Sequence, residues 1–254
     1  MVKSVSVRAD WLLDLGHSRA KWALAQAGEL VDDGPRSCPL DDLGALERDL
    51  ASGQAQRLWM SAQSSPDGVD SAMTLARNHG LSARVVSLGS RDLPVKPAYD
   101  TLGCDRWLAM QWPWQSTHRG FCVIDCGTAV TVDIVDDQGV HLGGWIMAGL
   151  RILRAGLFAH ASRLVDFEAS QSTVAQDFEP PATDSARAIA AGTMAQISAA
   201  LEQALRVAGQ HLGRSPAIWL TGGDGRQVAE MIDHPATIDD MLVLRGLALA
   251  AQSS

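Results

Sequence analysis

Trp11-Leu12-Leu13-Asp14-Leu15-Gly16-His17-Ser18 and Phe121-Cys122-Val123-Ile124-Asp125-Cys126-Gly127-Thr128-Ala129 decide the fold of this chain. In each, an apolar run with the character of a buried strand ends in Asp-x-Gly, then a polar residue and a small one. Each leads into a second strand, Lys21–Gln26 in the first case and Thr131–Val135 in the other. One Asp-x-Gly reads equally well as an ordinary hairpin turn. Two in matching contexts predict two similar α/β subdomains, residues 1–118 and 119–254. A third glycine-rich loop, Thr221-Gly222-Gly223-Asp224-Gly225, follows the apolar run Ala217–Leu220.

Working outward, Leu43, Leu46 and Leu50 fall at helical spacing, and Arg57–Ser61 reads as a short strand. A helix is expected over Met73–Gly80 and a strand over Ala83–Leu88. Pro94 and Pro97 mark Asp92–Asp100 as a loop. A helix over Leu102–Trp112 is expected to stop at Pro113. His141–Ile146 reads as a strand, 150–164 as a helix, and 173–183 as a loop. Long Ala-rich periodicity predicts a helix over Ser185–Val207, and shorter helices follow at Arg226–Ile232 and Leu242–Ala251.

Composition narrows the function. The chain has 254 residues, 46% apolar and 20% charged, which is enough for a packed core without metals or disulfides. Its net charge of −8 and its lack of a Lys/Arg cluster argue against a nucleic-acid face or an anionic membrane surface. Cys38, Cys104, Cys122 and Cys126 form no CxxC pair, so they read as reduced thiols of a cytoplasmic protein, not as a zinc site. No run of about 18 apolar residues and no signal-peptide core is present.

The loops suit phosphate chemistry. Glycine lets backbone N–H groups approach an anion, and a neighbouring hydroxyl adds a donor. An Asp at a strand end can hold magnesium, usually through water. Lys21, on the strand leaving the first loop, can place a point charge on a phosphate. Neither a GxxxxGK(S/T) loop, nor a GxGxxG fingerprint, nor a protein-kinase motif set occurs. Taken singly, Asp14 and Asp125 also read as turn residues capping backbone amides.

Five stretches in order resemble one family, the type III pantothenate kinases. They are DLGHSRAKW (14–22), LGCDRW (102–107), DCGTAVTVD (125–133), GGWIMAGL (143–150) and LTGGDG (220–225). The resemblance implies two ribonuclease-H-like, actin-like subdomains with mixed sheets, flanking helices and an ATP cleft between them. It implies a homodimer that transfers the γ-phosphate of ATP to pantothenate, with Mg2+ and a monovalent cation, K+ or NH4+. Asp105 would be the general base. Asp14, Leu15, Gly16, His17, Ser18, Arg19, Ala20 and Lys21 would serve the ATP phosphates, with Asp14 also holding magnesium. Gly127 and Thr128 would hold phosphates, Thr221, Gly222 and Gly223 would flank the adenosine, and Asp125 would bind the monovalent cation. Tyr99, Gly103, Cys104, Asp105, Arg106 and Ser185 would meet the substrate, with Thr183 as the alternative to Ser185; both also suit a helix N-cap. Two positions depart from the family pattern: His17 stands for the usual Asn and Ala148 for the usual Pro. Other readings are a kinase or phosphatase of the same superfamily acting on another substrate, and a non-enzymatic transcription accessory factor. The intact Asp14, Lys21, Asp105 and Asp125 favour an enzyme.

Overall fold

The computed structural model describes residues 9–32, 34–63, 66–160 and 181–252. Strands β1 (Ala9–Leu15), β2 (Arg19–Gln26), β3 (Glu29–Leu30) and β4 (Arg36–Pro39) lead to helix α1 (Gly44–Leu50). Then come β5 (Arg57–Ala62), α2 (Pro66–Asn78), β6 (Ser82–Val85), α3 (Cys104–Ala109) and α4 (Gln111–Thr117). The second half holds β7 (Phe121–Cys126), β8 (Ala129–Val135), β9 (His141–Ala148), α5 (Leu150–His160) and α6 (Ser185–Leu212). It ends with β10 (Ala217–Thr221), α7 (Gly225–Ala229), β11 (Ala236–Ile238) and α8 (Leu242–Gln252).

Two mixed sheets result, and they share one topology. The first runs β3-β2-β1-β5-β6, with β4 also paired to β2. In it β1 is antiparallel to β2 and parallel to β5, and β5 is parallel to β6. The second runs β11-β10-β7-β8-β9, which is the order of the first read from its other edge, with β10 and β11 parallel. The repeated strand–Asp-x-Gly–strand unit is therefore the centre of each sheet: β1–β2 in one and β7–β8 in the other.

Alternation along β1 sorts its side chains by the two-residue period of a strand. Trp11, Leu13 and Leu15 enter a buried cluster with Trp22, Leu46, Leu50, Leu58 and Met60. Leu12 and Asp14 take the opposite face. By their contacts the residues form two compact units. One comprises residues up to Phe121, Asp133–Gly143 and the chain from Asp239; the other comprises Cys122–Val132 and Gly144–Ile238. Helix α8 belongs to the first unit and packs against β1, β5, α3 and α4. The approach is close enough that a Cβ on Gly246 would collide with the Leu108 backbone.

Pro113 does not stop a helix. α3 ends at Ala109, and Pro113 lies in the first turn of α4, where its missing N–H has no intrahelical acceptor to lose. Helix α2 starts at Pro66, ahead of the expected Met73, and the strand expected over Ala83–Leu88 is Ser82–Val85. β3, β4 and β11 are too short to show periodicity. Part of the loop expected over 173–183 and the end of the helix expected over 150–164 lie outside the described residues. No helix among the described residues is long and apolar enough to cross a membrane.

Candidate active site

In the first unit the strand register brings together groups of the first Asp-x-Gly stretch. Asp14, the penultimate residue of β1, is paired with Lys21 on β2 and with Ser61 on β5. Residues opposite one another across a sheet share a face, so carboxylate, ammonium and hydroxyl stand in one row. The Ser61 hydroxyl is fully buried and makes no hydrogen bond among the described residues. His17 and Ser18 on the loop, and Arg19 at the start of β2, are exposed. The Gly16 N–H donates to the Arg19 carbonyl at 3.1 Å, closing the turn.

The stretch from Gly103 to Arg106 sits in the same unit. Gly103 caps α3 in an extended conformation, and a Cβ there would come within 2.6 Å of Asp105 Oδ1. Asp105 Oδ1 accepts from the Arg106 backbone N–H at 2.8 Å. Burial pushes the Asp105 carboxyl above its ordinary range, against the opposing pull of that N–H, the Arg106 charge and His17. His17 of the first loop thus lies within electrostatic reach of the Asp105 carboxylate. The loop before α3 is tied down by buried bonds: Trp107 Nε1 donates to the Val95 carbonyl at 2.8 Å, and the Val95 N–H to Gln111 Oε1 at 3.0 Å.

Arg106 is buried. Its Nε and Nη2 donate to Asp133 Oδ2 and Oδ1 at 2.9 and 2.7 Å, and its Nη1 donates to the Tyr99 hydroxyl at 3.1 Å. Asp133 Oδ1 also meets His141 Nε2 at 2.9 Å. Tyr99, Arg106 and Asp133 all fall within motifs or candidates visible in the sequence. Asp133 was visible only as the last letter of 125–133, and His141 carried no signal at all.

The second unit holds the other two loops. Gly127 N–H donates to the Ala129 carbonyl at 2.9 Å, the counterpart of the Gly16 turn. Gly149, after β9, donates to the Thr128 carbonyl at 3.0 Å, and any Cβ on it would collide with the Gly127 and Thr128 carbonyls. Asp224 N–H donates to the Cys126 carbonyl at 3.0 Å, so the 221–225 loop is seated on the 125–128 loop. Gly222 has φ +90°, and a Cβ on it would collide with the Cys126 carbonyl and Asp125 Oδ1. Gly223 is exposed, with open space where a Cβ would stand. Burial raises the Asp224 carboxyl, opposed by the charges of Arg154 and Arg151 on α5. Asp184 caps α6, accepting from the Arg187 N–H at 2.9 Å, so Ser185 is not needed as a cap and stands exposed, as does Thr183.

All four cysteines are free and buried. Burial, with the Asp105 and Asp14 charges, pushes the Cys104 thiol up to about 12, and burial pushes that of Cys126 higher still. The thiolate is the nucleophile. Iodoacetamide at pH 8 is therefore expected to leave the native protein unmodified by intact mass and to label all four thiols in denaturant. Rapid labelling of the native protein would show these thiols to be reachable.

An α/β chain with two mixed sheets of this shared order, each centred on a strand–Asp-x-Gly–strand unit, has the actin-like, ribonuclease-H-like fold. Solved structures agree. A Baf family protein from Campylobacter jejuni superposes with TM-score 0.60 at 22% identity, over 95% of this chain and 97% of its own. The ADPNP-bound activator of 2-hydroxyisocaproyl-CoA dehydratase from Clostridium difficile does so with TM-score 0.53 at 13% identity, over 96% and 94%. Within that class the chain belongs to the type III pantothenate kinase family, whose model matches residues 11–207. Type III pantothenate kinases of Azotobacter vinelandii and Pseudomonas aeruginosa are 31% and 32% identical to it. Each alignment covers 94% of this chain, with 96% and 97% of the relative.

Proposed function

We propose that the protein transfers the γ-phosphoryl group of ATP to the primary hydroxyl of pantothenate, giving 4′-phosphopantothenate and ADP, the first step of coenzyme A synthesis. The observation that carries this reading, beside family membership, lies in the first unit. A carboxylate with a raised pKa, Asp105, stands within electrostatic reach of the loop that pairs Asp14 with Lys21. Asp105 accepts the proton of the substrate hydroxyl as its oxygen bonds to phosphorus and the bond to ADP breaks. In a loose transition state that proton leaves late, so a carboxylate is base enough. Asp14, Leu15, Gly16, His17, Ser18, Arg19, Ala20 and Lys21 serve the phosphates, as do Gly127 and Thr128. Thr221, Gly222 and Gly223 flank the adenosine. Tyr99, Gly103, Cys104, Arg106 and Ser185 hold the acceptor.

The residues fit the ions that such a reaction uses. Magnesium takes one or two carboxylates together with substrate phosphates and water, and the single Asp14 at a strand end suits that mode. Among the described residues no cluster of three or more metal-binding side chains occurs, so nothing resembles a dedicated cage. Asp125 Oδ1 and the Cys126 carbonyl both pack close against Gly222, and oxygen donors of this kind suit K+ or NH4+. When bound, such ions supply positive charge to the phosphates. The same reading makes the protein a cytoplasmic homodimer, to be checked by light scattering. Ile146, 68% exposed on the edge strand β9, offers apolar surface for association.

Purified protein with ATP, Mg2+ and pantothenate, and K+ or Na+ as the sole monovalent cation, is expected to form 4′-phosphopantothenate detectable by mass, faster with K+. No product in either salt would overturn the assignment of acceptor. The pH profile gives a further expectation. Asp105 works ionised, so kcat/KM falls as pH drops through its raised pKa, and the acidic limb lies above the ordinary aspartate range. A limb at the ordinary position would place the base elsewhere.

A further inference from the structure

We infer that Asp133 and His141 are positioning residues for Arg106 and, through it, for Tyr99, an inference that rests on the proposed function. The four side chains form one polar line within the first unit, running from interior to surface. His141 and Asp133 have side chains 0% and 2% exposed and Arg106 7%, while Tyr99 is 39% exposed. Only the last member reaches solvent.

Each link is fixed by the one behind it. The Ala98 N–H points at His141 Nδ1 at 3.4 Å, which leaves the ring proton on Nε2 to donate to Asp133 Oδ1 at 2.9 Å. Asp133 accepts in addition from Arg106 Nε and Nη2, a planar two-point grip that sets both the place and the plane of the guanidinium. The pair is charge-compensated, as a buried arginine requires. Nη1 then donates to the Tyr99 oxygen at 3.1 Å. With its oxygen accepting from a cation, the Tyr99 hydroxyl turns its own proton outward, ready for an acceptor oxygen on the substrate. The ring of Tyr99 also lies against that of His141, with centroids 5.9 Å apart. Apolar side chains of similar volume commonly fill a buried site as well as an ion pair does, so stability alone gives little reason to retain this one. A line of buried polar groups ending at one exposed donor is suited to presenting that donor at a fixed angle.

The test uses the whole protein and three variants: Asp133→Asn, His141→Leu and His141→Gln. Misplacing a binding group by about an ångström costs up to roughly 100-fold. Asp133→Asn and His141→Leu are therefore expected to raise KM for pantothenate about 10-fold or more, with KM for ATP held within about 2-fold. His141→Gln, which keeps a donor, restores most of the loss. Parallel rises in both KM values, or a drop in Tm with unchanged kinetics of the folded fraction, would overturn the inference. If Asp133→Asn fails to fold, the two His141 variants decide. A second readout needs no turnover: the Arg106 Nε–H proton resonance, identified by its loss in Arg106→Lys. It should exchange slowly in the wild type, faster in His141→Leu and slowly again in His141→Gln. Fast exchange in the wild type would sink the inference even if pantothenate is the substrate. Slow exchange with the expected variant pattern would keep the positioning geometry even if pantothenate is not.

Discussion

Asp105→Asn is expected to abolish most phosphoryl transfer while leaving the protein at least as stable as the wild type. The rate argument is that a positioned general base contributes about 10²- to 10⁴-fold. A proton lost late in the transition state puts the expected fall in kcat near the lower end, about 100-fold. KM for ATP should stay unchanged. The stability argument runs through burial, the largest influence on this carboxyl, which raises its folded pKa above the unfolded value. A carboxyl shifted that way stabilises the fold below its unfolded pKa and loses that contribution as pH rises through the folded pKa. At neutral pH the ionised Asp105 is therefore held in surroundings that favour its neutral form. Asparagine removes the charge and keeps the oxygen that accepts from the Arg106 N–H at 2.8 Å. Thermal melts at pH 7 should place the variant at or above the wild type, and single-turnover assays should show the loss in the chemical step. A lower Tm would make Asp105 structural, and undiminished kcat would move the base to another group.

Much of this was legible in the sequence because strand-ending glycine loops are local. Asp14, Gly16, Asp125 and Gly127 announce themselves as strand-ending Asp-x-Gly, and the shared strand order of the two sheets follows from that repeat. Pairing across the chain was not legible. Nothing in Arg57–Ala62 says that Ser61 lies beside Asp14, since a parallel neighbour is chosen by tertiary packing. Helix α8 sits at the far end of the chain yet packs on β1 and α3, through a glycine contact that no periodicity predicts. Arg106 read as a residue that would meet the substrate. The structure adds that Asp133 already grips two of its nitrogens, a fact that spacing alone cannot reveal because 27 residues separate the two. Pro113 misled for a different reason: the rule that proline ends a helix does not apply to the first turn.

Two neighbouring glycines separate packing from ligand contact in the 221–225 loop. Gly222→Ala is expected to unfold the protein at a much lower temperature. Its φ of +90° suits glycine, and forcing a side chain there costs about 1–2 kcal/mol. The new Cβ must also displace the Cys126 carbonyl and the Asp125 carboxylate, and overpacking of that kind costs about 1–3 kcal/mol. A combined loss of about 2–5 kcal/mol lowers Tm by roughly 5–20 °C in a protein of this size. Gly223→Ala meets nothing within 4 Å, so its stability should stay within about 0.5 kcal/mol of wild type. Any effect it has must come from a ligand brought against the open backbone. If that ligand is the adenosine of ATP, KM for ATP rises about 10-fold while KM for pantothenate holds, since a lost contact of about 1.4 kcal/mol is one decade in affinity. Wild-type stability in Gly222→Ala would mean the loop does not rest on Asp125. An unchanged KM for ATP in Gly223→Ala would take the adenosine away from this loop and leave the phosphate loops to be tested by themselves.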